Sequence, residues 1–148
     1  MITLICVGRL KEKHYAEACA EYLKRLGRWV RFEVIEFREC LDNNSEVAKE
    51  REGRQILERI ARIGRGCVIA LDMRGDKMSS EAFADYLKKE DIIFVIGGPN
   101  GLSKDVLEAA DFVLSLSDMT LPHQLARVFL LEQVYRGYSI NRGEPYHK

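Results

Sequence analysis

Short apolar runs recur along the chain at a length that suits strands. Ile2–Val7, residues 67–71 and Ile92–Ile96 are almost continuously apolar, Phe32–Phe37 is interrupted by two glutamates, and residues 112–116 form a fifth run. Runs that are short and rich in β-branched and aromatic residues predict strands. Ile92–Ile96 has the pattern of a strand that is buried on both faces.

Amphipathic segments separate these runs. Lys13–Leu26 and Ser45–Ile63 carry apolar residues at helical spacing. Ser79 and Ser103 are suitable N-caps for two shorter helices, because a serine hydroxyl can accept a hydrogen bond from an amide of the first turn. A last helix is predicted over residues 121–138. Strands that alternate with helices predict an α/β fold, with a parallel sheet covered by helices.

Apolar residues occupy more than one face of the last helix, namely Leu125, Val128, Phe129, Leu130, Leu131, Val134, Tyr135 and Tyr138. A helix that is apolar nearly all round must be buried nearly all round. We expect one face to cover the sheet and the other to meet a second copy of the chain, which predicts a homodimer. The alternative is a central helix in a monomer. Thr120 is the predicted N-cap, with Pro122 in the first turn.

Length and composition are those of one globular domain. The 148 residues are 47% hydrophobic, and 23 basic residues balance 23 acidic ones. No internal repeat or linker divides the chain, so we predict a single domain over residues 1–148. The zero net charge argues against a general polyanion binder but leaves room for a local basic patch.

We expect a cytoplasmic protein without a membrane segment or a metal site. The apolar N-terminus is too short for a secretory signal and lacks its basic start. No apolar run reaches the length that spans a membrane. The cysteines form no CxxC pair and no zinc spacing, so we interpret them as reduced core thiols; they are Cys6, Cys19, Cys40 and Cys67.

A glycine-rich segment, Ile96-Gly97-Gly98-Pro99-Asn100-Gly101, directly follows the fourth predicted strand. Ligands of open α/β sheets bind beyond the carboxyl ends of strands, and glycines there let the backbone approach a ligand. A plain turn explains the same residues, and the local sequence leaves both interpretations open. A dinucleotide-binding oxidoreductase is poorly supported, because no GxGxxG follows the first strand.

A second loop and the C-terminus also carry candidate chemistry. Residues 116–124 link the fifth strand to the last helix, at the same edge of the sheet as the glycine segment, and the two loops can enclose a small cofactor. For His123, in that helix's first turn, a structural hydrogen-bonding role is favoured over catalysis. The chain ends in Pro145-Tyr146-His147-Lys148, which places an imidazole beside a phenol.

Taken together, these motifs resemble those of the SPOUT superfamily of methyltransferases. The similarity is greatest to the ribosomal RNA large subunit methyltransferase H family, which methylates N3 of a pseudouridine. It spans the chain and includes residues 7–10 (VGRL), 71–75 (LDMRG), 96–101 (IGGPNG), 114–124 (LSLSDMTLPHQ) and 145–148 (PYHK). The resemblance implies a C-terminal trefoil knot, a homodimer, and S-adenosyl-L-methionine as the methyl donor.

The resemblance also implies which residues bind the cofactor, largely through their backbone. They are Leu71, Gly97, Gly98, Leu116, Ser117, Asp118, Met119, Thr120 and Leu121. Asp72 either contacts the polar groups of the cofactor or closes a turn toward Gly75. We do not include Asp72 among the catalytic residues.

For the acceptor side, the resemblance makes His147 the expected general base, since N3 of a uracil-like ring is a poor nucleophile until it loses its proton. Tyr146 is expected to hydrogen-bond to the base or stack on it. Arg9, Arg136 and Arg142 are candidate RNA contacts, although for each of them a solvated surface charge is the favoured interpretation. The implied substrate is ribosomal RNA in the assembled ribosome. The competing hypothesis is a non-catalytic ribosome-associated protein without cofactor affinity.

Overall fold

The computed structural model describes residues 1–89 and 91–148. Within them, strands and helices alternate in the predicted order. The elements are β1 (Ile2–Val7), α1 (Lys13–Leu26), β2 (Phe32–Phe37), α2 (Ser45–Ile63), β3 (Cys67–Asp76), α3 (Ser80–Tyr86), β4 (Ile92–Ile96), α4 (Lys104–Ala109), β5 (Phe112–Leu114) and α5 (His123–Arg142).

The strands form one sheet in the order β2-β1-β4-β3-β5, and every pair is parallel. Ile92 of β4 pairs with Ile2 of β1 on one side and with Cys67 of β3 on the other. All residues of β4 are buried, as its apolar sequence predicts. The α/β fold is therefore confirmed, and the carboxyl ends of all strands lie at one edge.

Two strand boundaries differ from the predicted ones. β3 continues past Leu71 to Asp76, where it pairs again with Leu114 after a register shift, and β5 ends at Leu114 rather than at 116. The extension depends on Gly75, because a Cβ there would lie 2.5 Å from the carbonyl oxygen of Val113. Polar residues in 72–76 resemble a turn in sequence, but strand pairing keeps them extended.

The last helix begins at His123, later than predicted, and ends at Arg142. Pro122 occupies the N-cap with extended backbone angles, and no side chain caps the helix. The prediction that Thr120 is the N-cap is wrong. The hydroxyl of Thr120 donates instead to the sulfur of Met73 at 3.7 Å. Pro122 has no amide to donate and a fixed φ, so the chain enters the helix only after it.

The core has two layers, one on each face of the sheet. One packs β1, β3 and β4 against α1, α3 and α5, and the other packs the sheet against α2 and α4. Cys6 and Cys19 are buried in the first layer, whereas Cys40 and Cys67 are only partly buried, and all four are unpaired. Burial raises the pKa of the Cys6 thiol to about 12, so it stays protonated.

One face of α5 covers the sheet, as predicted, through residues such as Leu130, Leu131 and Val134. The other face keeps apolar surface, and Phe129 remains 36% exposed. Among the described helices, none is both long enough and apolar enough to pass through a lipid bilayer.

The side chain of Arg127 on α5 extends through the core and contacts residues near the N-terminus of the chain. It is 1% exposed. Its guanidinium donates to Glu36 Oε1 at 2.5 Å and also to the carbonyl oxygen of Gly8, at the end of β1. Its Nε has no hydrogen-bond partner among the described residues. A buried charge requires such partners, so α5 is tied to the ends of β1 and β2.

We predict that Arg127→Met lowers the free energy of unfolding by about 2 to 3 kcal/mol, because it removes a buried donor from two acceptors. Urea denaturation at a fixed protein concentration measures this loss. Arg51→Met is the matched control, since Arg51 pairs with Asp42 at 3.2 Å while 60% exposed. The control should lose less than about 1 kcal/mol. Equal losses in the two variants would contradict a structural role for Arg127.

Candidate active site

A cavity of about 820 Å³ opens at the edge where the parallel strands end. Its walls come from the ends of β3 and β4, the loop after β5 and the start of α5. The lining residues include Leu71, Asp72, Met73, Arg74, Gly97, Gly98, Leu116, Ser117, Met119, Thr120, Leu121 and His123. Few polar groups in a mostly apolar concave wall are typical of a small-molecule site.

The glycine segment after β4 forms one wall with its backbone. A Cβ on Gly97 would lie 2.7 Å from the carbonyl carbon of Gly101, and one on Gly98 would lie 3.0 Å from Cγ1 of Val7. The amide of Gly101, at φ +79°, donates to the carbonyl of Gly98 at 3.0 Å. The segment is therefore both a tight turn and a cavity wall from which side chains are excluded.

The loop after β5 forms the opposite wall and is held by its own serines. The hydroxyl of Ser115 donates to the carbonyl of Ser117 at 3.0 Å, and the hydroxyl of Ser117 accepts from the amide of Met119 at 3.0 Å. Asp118 differs from its neighbours in this loop, because it is not part of the cavity lining. Its carboxylate pairs with Lys77 at 2.5 Å.

Asp72 lines the cavity and is held by Arg74. It accepts bonds from Nε of Arg74 at 2.8 Å and from the backbone amide of Arg74 at 2.9 Å. The Arg74 side chain holds the pKa of Asp72 below its usual range, so the carboxylate is ionised. Asp72 thus lies within the extended part of β3, bound by the side chain and amide of Arg74, while it lines the cavity; the predicted turn toward Gly75 is not present.

The C-terminal tail lies away from this cavity, against α3 and α5. Nε2 of His147 donates to Oε1 of Glu81 at 2.8 Å, and Arg136 donates to Nδ1 at 3.2 Å. Hydrogen bonds from its own backbone amide, from His147 and from Ser79 lower the pKa of Glu81 to about 2. Both nitrogens of the His147 ring are therefore engaged in this position.

Tyr146 is packed beside His147. Its hydroxyl donates to Oε1 of Glu132 at 3.1 Å, and its ring meets Tyr135 edge-on at 4.7 Å between centroids. Arg136 lies over the same ring at 5.0 Å. Burial, together with Tyr22 and Glu132, raises the pKa of the Tyr146 phenol, which keeps it neutral.

The structure does not bring the two predicted groups of site residues together within one chain. Arg136 follows His123 by about 20 Å along the axis of α5, and His147 docks beside Arg136. The cofactor residues predicted from the sequence, apart from Asp118, share the cavity. The tail cannot act on that cavity without leaving its docking site or serving another copy.

The predicted RNA contacts have different surroundings. Arg9 is exposed directly after Gly8, and within residues 1–89 and 91–148 its side chain makes no ion pair. Arg136 is engaged with Glu132 and His147. Arg142 lies over the ring of Trp29 at 5.6 Å. Arg9 is thus the most available of the three.

Solved structures share the fold at low sequence identity. A protein of Bacillus anthracis assigned as an RNA methyltransferase is 17% identical, with a TM-score of 0.62 over 100% of this chain and 98% of that one. The tRNA (m1G37) methyltransferase of Aquifex aeolicus is 15% identical, with a TM-score of 0.61 over 91% and 69% of the two chains.

A third structure is the SpoU methyltransferase AviRb of Streptomyces viridochromogenes in complex with AdoMet. It is 12% identical, with a TM-score of 0.52 over 93% of this chain and 57% of that one. At these identities the likeness concerns the fold. The family model described as Predicted SPOUT methyltransferase matches residues 1–147. The chain therefore belongs to the SPOUT methyltransferase family.

Proposed function

We propose that this protein uses S-adenosylmethionine to methylate N3 of a pseudouridine in large-subunit ribosomal RNA, on the assembled ribosome in the cytoplasm. One observation carries the proposal. The glycine segment after β4 and the loop after β5, which carry the sequence motifs, are the walls of one cavity at the strand ends. Family membership supports methyl transfer, and the sequence motifs support the acceptor.

The residues of the cavity suit S-adenosylmethionine. Leu71, Leu116 and Leu121 supply apolar walls, backbone at Gly97 and Gly98 allows close approach, and Asp72 supplies an ionised carboxylate. A volume of about 820 Å³ falls within the range of cofactor sites. When bound, the cofactor supplies an electrophilic methyl group on a sulfonium. The protein must then hold the acceptor in line and exclude water.

On the acceptor side, His147 takes the proton from N3. A histidine suits this step because it can exchange protons near neutral pH. In the docked tail, Arg136 donates to Nδ1 and Nε2 donates to Glu81, which leaves no free lone pair on the ring. The tail must therefore leave Arg136 before His147 accepts a proton. Tyr146 moves with it and offers an aromatic face to the unstacked nucleotide.

The active form is a homodimer in which the tail of one copy serves the cavity of the other. Two features support this arrangement. The cavity and the docked tail lie far apart along α5 of one chain, and the outer face of α5 keeps exposed apolar surface around Phe129. Burial of that face against a second copy would stabilise the pair.

Binding of RNA depends on the shape of the ribosome more than on bulk charge. The net charge is zero, so the protein lacks the basic excess that grips free RNA. Arg9 is exposed and can contact a phosphate, while Arg136 and Arg142 can contribute once their present partners release them. The trefoil knot remains a prediction of the resemblance. The alternative function, a non-catalytic ribosome partner, accounts less well for a formed cavity.

The purified protein is expected to transfer one methyl group from S-adenosylmethionine to large subunits within whole ribosomes. Mass spectrometry of the digested RNA should find N3-methylpseudouridine. Free ribosomal RNA, used as the control substrate, should react much more slowly. Saturable cofactor binding without any methylated nucleoside on either substrate would refute the proposed acceptor, and absence of cofactor binding would favour the non-catalytic partner.

Gly97→Ala should weaken S-adenosylmethionine binding at least about tenfold, or by about 1.4 kcal/mol, because the new methyl group displaces the wall at Gly101. Calorimetric titration measures the affinity. Gly27→Ala is the matched glycine control. Gly27 lies at the end of α1, and a Cβ there would meet ordinary contacts at 3.5 Å. Unchanged affinity in Gly97→Ala would mean that the cavity is not the cofactor site.

A mixture of two variants tests whether the tail acts on the partner, at a cofactor concentration that saturates the wild-type cavity but is too low to occupy the cavity of Gly97→Ala. His147→Ala keeps the cavity, and Gly97→Ala keeps the tail. If the tail serves the other copy, mixed dimers regain one working site, and random mixing restores about a quarter of wild-type activity. Single-turnover methylation of ribosomes measures the recovery, with each variant alone as the control. No recovery after subunit exchange would show that each tail serves its own chain.

A further inference from the structure

His123 stands where the cofactor cavity meets the loop after β1. It is the first residue of α5 and lines the cavity. Its Nε2 lies 3.8 Å from Oε1 of Glu39, and both side chains are 22% exposed. A Cβ on Gly8 would lie 2.6 Å from that carboxylate oxygen and 3.4 Å from Nε2. The imidazole and the carboxylate are thus packed over a glycine that has no side chain to separate them.

The first turns of α5 fix the loop after β1 in place. Oε1 of Gln124 accepts from the amides of Lys11 and Glu12, at 2.9 and 3.2 Å. Arg127 binds the carbonyl oxygen of Gly8. These contacts involve residues on either side of Arg9 in the sequence, so the start of α5, which carries His123, is packed against the loop that carries the proposed RNA contact.

Glu39 is also held in place. The amide of the next residue, Cys40, donates to Oε1 of Glu52 at 2.8 Å. Glu52 is 3% exposed on α2, and burial raises its pKa. The side chain of Glu39 also passes close to Gly98, since a Cβ there would lie 3.8 Å from Cγ of Glu39. The carboxylate that faces His123 therefore comes from an anchored loop.

Oε1 of Glu39 lies 3.8 Å from Nε2, which is longer than a hydrogen bond, so it acts on a neutral His123 ring only through electrostatic bias. A carboxylate beside Nε2 favours the proton on Nε2, which leaves Nδ1 as an acceptor. No residue in 1–89 or 91–148 donates to Nδ1 of His123. Two other acceptors of the cavity already have donors, because Asp72 is bound by Arg74 and the hydroxyl of Ser117 by the amide of Met119.

Pseudouridine differs from uridine in a group that such an acceptor can recognise. Its ring is joined to ribose through carbon, so N1 carries a hydrogen, whereas N1 of uridine carries the sugar. The two bases offer the same carbonyls and the same N3–H. An enzyme that selects pseudouridine therefore needs a hydrogen-bond acceptor for N1–H, or an equivalent bound water.

We propose that His123, oriented by Glu39, accepts the N1–H hydrogen bond and selects pseudouridine over uridine. The proposal rests on the proposed function, because it assigns a specificity residue to the same site. It gives His123 and His147 separate tasks, the first in recognition and the second in proton removal. It also replaces the purely structural role that the sequence suggested for His123.

Assembled ribosomes whose large-subunit RNA carries pseudouridine or uridine at the target position are the substrates that test this role. The uridine form comes from cells that lack the pseudouridine synthase for that site. The wild-type protein should prefer the pseudouridine form, in kcat/KM and in filter binding without cofactor. His123→Leu should reduce this preference about ten- to a hundredfold, since it removes one hydrogen bond to the substrate.

Two further variants separate recognition from folding. His123→Gln offers an amide oxygen and should recover part of the preference, whereas Glu39→Gln should lose part of it, because its amide no longer favours the proton on Nε2. His14→Asn, at an exposed histidine on α1, is the control and should change nothing. Thermal unfolding verifies that each variant is folded. If His123→Leu does not fold, the preference of Glu39→Gln for pseudouridine tests the role of His123 instead.

The outcomes distinguish the proposed role of His123 from the proposed methyltransferase function on which it rests. If the wild-type protein methylates neither form, the proposed function fails. If it methylates both forms equally, or if folded His123→Leu and Glu39→Gln keep the full preference for pseudouridine, the role of His123 is refuted while methyl transfer stands. Loss of selectivity in both variants, with pseudouridine affected more than uridine, supports it.

Discussion

A buried guanidinium holds the two ends of this chain together. Arg127 lies inside the core, where an unpaired charge is very unfavourable, so its bonds to Glu36 and to the carbonyl of Gly8 must form for α5 to pack. Those bonds fix the start of α5 against the ends of β1 and β2. His123 and Gln124, in the same turns of the helix, consequently reach the cavity and the loop after β1. Both the shape of the cavity and its access depend on this single cation.

The sheet was predictable because the signal for each of its strands, a short apolar run, lies in consecutive residues of the sequence. β4 is buried on both faces. Its five consecutive apolar residues predict a strand, because a run of that length is too short for a typical helix. The two errors have different causes. β3 extends to Asp76 because Leu114, distant in sequence, is available for pairing, and no local window encodes that. The start of α5 is set locally by Pro122, and the capping side chain of Thr120 was given too much weight against it.

The candidate site divides in the same way. Gly97 and Gly98 indicated that backbone forms a wall of the site, because the sequence alone shows that these two residues have no side chain. Asp118 had a suitable position in the chain, yet its carboxylate turned to Lys77. The engagement of His147 by Glu81 and Arg136, the pairing of His123 with Glu39, and the burial of Arg127 all depend on side chains that meet only after folding. No spacing rule would have found them.

The contact between Gly8 and Arg127 joins residues separated by 119 positions. During synthesis, β1 therefore leaves the ribosome long before the helix that covers it. Until α5 emerges, the face of the sheet beneath Leu131 and Val134 stays open to water, and the cavity lacks the wall at its mouth. Contacts of such long range form slowly. The site is therefore completed only once α5 has been synthesised and has packed against the sheet.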